Sequence, residues 1–114
     1  MEYKRSDRVG DLLIEVIAQL LVKEVSDPRV GSVTLTGAEV SPDLRHAKIF
    51  FNVLGGGDRE QATAGLKSAA GFIRGHAGKA LKLRVVPTLE FVYDDSEERA
   101  RRIDDLLQGA KKDG

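Results

Sequence analysis

The stretch Ala69–Asp94, AAGFIRGHAGKALKLRVVPTLEFVYD, decides the fold, because it joins a helix break, a basic helix and a core strand. From Phe72 to about Lys82, the residues Phe72, Ile73, His76, Ala77, Ala80 and Leu81 recur at three- and four-residue spacing, which predicts one apolar helix stripe. Arg74, Gly75, Gly78, Lys79 and Lys82 fall on the other side. Together with Arg84 the cations of this stretch number four, and no acidic residue stands between Gly71 and Thr88. A basic face interrupted by glycines lets a polyanion approach the helix backbone as well as the cations, which suits phosphate contact. On composition alone, an ordinary solvated helix face is the more economical reading of the same charges.

A strand follows the helix: Leu89, Phe91 and Tyr93 alternate with Thr88, Glu90 and Val92, and Pro87 stands at its start, where a missing amide donor does least harm. Asp94, Asp95 and Ser96 close the strand and open a last helix, with Asp95 and Glu98 at the spacing of a capping box. The paired aspartates are assigned to capping rather than to a metal, since neighbouring carboxylates on an extended chain point to opposite sides.

Outward from this stretch, 114 residues make one domain, placed at 1–108 with 109–114 as a disordered tail. Eighteen basic and eighteen acidic residues cancel, which excludes nucleic-acid binding through overall charge and leaves only a local patch. The excess of positive charge lies in Asp58–Tyr93, with six basic against three acidic residues. Without cysteine there is no disulfide framework, thiolate metal site or cysteine nucleophile. The polar N-terminus MEYKRSDR lacks a secretory apolar core and no apolar run reaches membrane-spanning length, so a soluble cytoplasmic protein is expected.

A helix is expected from about Ser6 to Val25, with Val9, Leu12, Leu13, Val16, Ile17, Leu20 and Leu21 on one stripe and Ser26-Asp27-Pro28 ending it. Two strands come next. In Val33–Val40 the apolar phase slips at Gly37, as a bulge would cause, whereas Ala47–Val53 alternates cleanly and leaves Arg45, His46 and Lys48 at the edge of the exposed face. His46 and His76 form no acid/base pair or ligand set, and are read as a strand-surface and a helix-packing histidine. Gly55-Gly56-Gly57 lacks the Gly-Lys-Ser/Thr ending of a phosphate loop and is read as a linker. A short helix from about Asp58 to Ala69, capped by Asp58, ends at Ala69-Ala70-Gly71, and the last helix runs from about Ser96 to Gln108 with Ile103, Leu106 and Leu107 on its apolar side.

The resulting order, helix, strand, strand, helix, helix, strand and an added helix, is that of an α+β type II KH-like domain, with three strands covered by helices on one face. The chain resembles the ribosome-binding factor A family of bacterial small-subunit assembly factors. The resemblance rests on Arg8-Val9, Asp27-Pro28-Arg29, Val40-Ser41-Pro42-Asp43-Leu44, Ala47-Lys48, Gly71-Phe72-Ile73-Arg74, the run Leu83 to Phe91, and Asp94-Asp95-Ser96. It implies a non-enzymatic, monomeric RNA-binding factor without a cofactor. Such a factor associates with the free 30S subunit or its precursor, contacts 16S rRNA, and assists late maturation and growth in the cold. It also implies that an Ala-x-Gly kink, here Ala69-Ala70-Gly71, replaces the usual GxxG loop between two helices. The literal GxxG, Gly75-His76-Ala77-Gly78, then falls inside the third helix, with a true KH loop there as the open alternative.

Three functional classes compete. In the first, Arg74, Lys79, Lys82 and Arg84 contact rRNA phosphates and Arg45, His46 and Lys48 extend the surface. In the second, amphipathic helices dock on a protein partner and the basic face serves solubility. The third, an enzyme, has no nucleophile–base pair, metal-ligand cluster or nucleotide loop to support it.

Overall fold

The structure, a computed structural model, describes residues 2–112. Its sheet is built on the segment with the cleanest alternation. In β2 (His46–Val53), Ala47, Ile49 and Phe51 are buried while His46 and Lys48 are exposed. β2 lies between β1 (Val33–Val40), its antiparallel partner, and β3 (Thr88–Tyr93), its parallel partner. The mixed sheet follows from the connections: a tight turn serves an antiparallel pair, and a parallel pair needs a long crossover, here α2 (Arg59–Ala80). Leu35 pairs with Phe51 but Gly37 with Phe50, so the bulge predicted from the phase slip lies between Leu35 and Gly37.

α1 (Arg5–Lys23) and α2 share one core with the inner face of the sheet. Val9, Leu13, Ile17, Leu20 and Leu21 are the buried members of the predicted stripe of α1, while Leu12 sits at its margin, 37% exposed. Burial of residues such as Leu13 and Ile17 contributes about 1.5–3 kcal/mol each. The Asp27-Pro28-Arg29 motif is structural: Asp27 accepts the Arg29 backbone N–H at 2.9 Å and pairs with its guanidinium at 2.6 Å, capping a 3-10 turn over Pro28–Val30. Val30, buried, packs against α2 at Gly65, where a Cβ would lie 2.9 Å from Val30 Cγ1.

The two helices expected around Ala69-Ala70-Gly71 are one. α2 is unbroken from Arg59 to Ala80, and Gly71 keeps a negative, helical φ with open space around it. A helix-interior glycine is about 1 kcal/mol less favourable than alanine, too little to break a helix held on both sides of it by buried Leu66 and Ile73. The continuous helix also resets the apolar face. Ala62, Leu66, Ile73 and Ala77 are buried, whereas Phe72, about 100° round from Ile73, is 52% exposed, and His76 is exposed beside it with ring centroids 6.2 Å apart. His76 is therefore a surface histidine and not the helix-packing one expected.

α3 (Ser96–Lys112) begins where expected, but not with the expected cap. The Asp94 carboxylate accepts from the Ser96 hydroxyl, the Ser96 N–H and the Thr36 hydroxyl, which together lower its pKa to about 2. Asp95 instead pairs with Arg99 at 3.1 Å, and Glu98 accepts from the Tyr93 hydroxyl. The helix runs on through Gly109 to Lys112, so the tail placed at 109–114 is helical over that part, and its remainder lies outside the described residues. Ile103, Leu106 and Leu107 are 57%, 74% and 58% exposed and stand clear of the core.

Candidate nucleic-acid interface

The C-terminal end of α2 is closed by a Schellman motif. The Leu83 N–H donates to Gly78 O at 3.0 Å and the Lys82 N–H to Lys79 O at 3.2 Å, a pairing that requires the residue between helix and exit to be left-handed. That residue is Lys82, with φ 52°. Just inside the cap, Gly78 is buried against the outgoing chain: a Cβ there would stand 2.6 Å from Val86 Cγ2. Gly78 therefore admits Val86, a protein side chain, and not the polyanion expected to approach it. Gly75 is exposed with nothing within 4 Å of its missing Cβ. Both glycines of the literal GxxG are helical, so the turn of an ordinary KH loop is not there.

Arg74 does not stand free among the cations. It reaches from α2 to the loop, donating through Nη2 to Val86 O at 2.8 Å and through Nε to Pro87 O at 3.1 Å. Its guanidinium thus ties down the segment that carries Lys82 and Arg84, with Pro87 fully buried beneath. At the far end of the same segment the Thr88 N–H donates to Arg45 O at 2.8 Å, and Thr88 pairs with His46 in the parallel ladder.

Arg45 and His46 are presented by the turn after β1. The Leu44 N–H closes on Ser41 O at 2.8 Å with Leu44 at φ 63°, and the Ser41 hydroxyl accepts the His46 N–H at 3.1 Å. The Asp43 carboxyl lies below the usual carboxylate range, because the Ser41 hydroxyl and then the Arg45 N–H donate to it. It is the acidic group embedded in this turn. Lys79, Lys82, Arg84, Arg45 and His46, all exposed, are thus carried on two connected segments at one end of the sheet. Lys48 is placed differently: two pairs further along the ladder, it stands between Glu39 on β1 and Glu90 on β3. Two flanking carboxylates make that position unfavourable for a phosphate.

Sequence reasoning found the cations but missed the tether and the strain. Arg74 and Lys82 read alike in the sequence, and only the backbone separates a side chain bent onto carbonyls from one on a left-handed cap. Among the described residues no group of histidine and acidic side chains could hold a metal ion, and no helix is long and apolar enough to cross a membrane.

A sequence model of the ribosome-binding factor A family matches residues 5–107. The chain belongs to the ribosome-binding factor A family. Ribosome-binding factor A of Geobacter metallireducens is 49% identical over 107 residues, covering 93% of this chain and 91% of that one. The crystal structure of ribosome-binding factor A from Thermus thermophilus is similar with a TM-score of 0.70 at 20% identity, covering 80% of this chain and 97% of that one. A homology model of the Thermus thermophilus factor, as fitted into the cryo-EM map of its complex with 30S, is similar with a TM-score of 0.55 at 22% identity over 73% and 96% of the two chains. The α+β architecture is therefore that of the family: three helices and a mixed three-stranded sheet.

Proposed function

We propose that this chain is a non-enzymatic ribosome assembly factor that binds the free 30S subunit or its precursor through 16S rRNA, and assists late rRNA maturation and growth in the cold. The carrying observation is the stitched basic end: the Thr88–Arg45 hydrogen bond and the His46–Thr88 pairing join the start of β3 to the start of β2, and the Arg74 bonds to Val86 O and Pro87 O tie α2 to the loop that leads into β3. Lys79, Lys82, Arg84, Arg45 and His46, all exposed, are carried on the segments these hydrogen bonds connect. Such a cluster on a chain with no net charge suits local phosphate contact rather than general adhesion to polyanions. The fit of a family member into a map of a 30S complex supports the same partner. The factor acts as a cytoplasmic monomer and needs no cofactor, with Arg74 a positioning residue and Lys48 peripheral.

Sucrose-gradient sedimentation of a cell extract tests the reading. The protein should travel with free small subunits and be released as salt rises. Migration at the top of the gradient at all salt concentrations contradicts it. A protein-docking role has one observation in its favour, the exposed Ile103, Leu106 and Leu107 of α3. It predicts that removing these three side chains, and not the basic end, abolishes co-sedimentation.

A further inference from the structure

Among the described residues, two that are not glycine have positive φ, Leu44 at 63° and Lys82 at 52°. Both lie at the basic end, each one or two residues before a proposed RNA contact: Leu44 leads into Arg45 and His46, and Lys82 into Arg84. Leu44 has a packing reason for its place, being half-buried against the core. Lys82 is exposed, and its side chain makes no hydrogen bond or ion pair among those of the described residues. The cap position it occupies is the one that helices most often fill with glycine, because a Cβ is strained there. Strained backbone that packing does not explain concentrates where a side chain is needed for function.

We infer that Lys82 is held at this cap for its charge, as a phosphate-contacting residue kept against the stability of the free protein. The inference rests on the proposed RNA-binding reading and assigns one residue of it a role that a solvated cap would not have. The left-handed turn fixes the direction in which the chain leaves α2, the Arg74 hydrogen bonds fix the loop beyond, and Lys82 projects from between these two fixed points. Its ammonium group therefore starts from an anchored backbone, which reduces the ordering lost on binding. A lysine near a helix C-terminus also complements the helix dipole, so charge alone could have placed it there. The two roles predict different behaviour on replacement.

The test compares the parent with Lys82→Gly, Lys82→Asn and Lys82→Arg, all as full-length protein. Thermal melts are measured, together with binding to purified free small ribosomal subunits at several salt concentrations. Lys82→Gly should raise Tm by about 2–6 °C, since glycine relieves the left-handed strain. The same variant should bind about five- to eightfold more weakly at 0.1 M salt, with the slope of log affinity against log salt reduced by about 0.7–0.9, the signature of one lost phosphate contact. Lys82→Asn, which tolerates the left-handed turn without charge, should lose the same binding, and Lys82→Arg should keep it. A Lys82→Gly protein that melts lower than the parent overturns the strain. One that melts higher but binds with the parent's affinity and slope makes Lys82 a plain cap, leaving the RNA-binding reading intact. A parent that does not bind small subunits overturns that reading, and the inference falls with it.

Discussion

Two positions eleven residues apart, one within α2 and one at its exit, treat glycine in opposite ways. At Gly71 the sequence supplies a glycine, and the helix passes straight through it with ordinary geometry and open space around it. At Lys82 the backbone turns left-handed, the geometry for which glycine is suited, and the sequence supplies a lysine. Where a helix ends is thus decided by what its faces bury and by where the next strand must begin. Ile73 and Ala77 continue the stripe of Ala62 and Leu66 beyond Gly71, so the helix gains more by continuing than glycine removes. At Lys82 the next strand must pair with β2 at Thr88, and the chain has to leave the helix whatever residue stands at the corner.

The contrast can be broken by substitution. Gly78→Ala, just inside the cap, is expected to have the largest effect, a destabilisation of about 1–3 kcal/mol, because the new methyl group meets Val86 at 2.6 Å and the tethered loop cannot easily move away. Urea melts with an unchanged midpoint would show that the α2–β3 packing is looser than described. Arg74→Ala should come next, destabilising by about 1–2 kcal/mol through loss of the bonds to Val86 O and Pro87 O. If its effect on RNA binding instead exceeded that of Lys82→Ala while its stability stayed at the parent value, Arg74 would be a contact and not a tether. Gly71→Ala and Gly75→Ala should have the smallest effects, each raising stability by up to about 1 kcal/mol, since both glycines are helical, exposed and unobstructed. A destabilised Gly71→Ala would restore the kink that the helix lacks.

Most of the fold was legible because its signals were periodic. The alternation of Ala47, Ile49 and Phe51 and the stripe of Val9, Leu13 and Ile17 are dictated by burial, and the phase slip at Gly37 marked the bulge. What misled was punctuation. Ala69-Ala70-Gly71 read as a break because glycine weakens helices locally, while the opposing stabilisation comes from sheet and helix contacts distant in sequence. Phe72 and His76 were drawn onto the buried face by the same three- and four-residue spacing that fits Ile73 and Ala77, since spacing alone does not say which of two adjacent stripes meets the core. In α3 the spacing of Ile103, Leu106 and Leu107 predicts an apolar side but not that the described chain leaves it exposed. The cations of the candidate interface were legible as charges. Their division into a tether at Arg74, an acid-flanked Lys48 and a presented group around Lys82 depends on hydrogen bonds and strand register that no local pattern encodes.

The most direct measurement is the salt dependence of binding to purified free small subunits by the parent and by the Lys79→Ala/Lys82→Ala/Arg84→Ala variant, with thermal melts confirming that the variant is folded. If these side chains meet phosphates, the variant's slope of log affinity against log salt should be shallower by about 2–3, from roughly 0.7–0.9 for each contact removed. A folded variant with the parent's slope and affinity would contradict the account and move the ribosome-binding surface away from the end of α2.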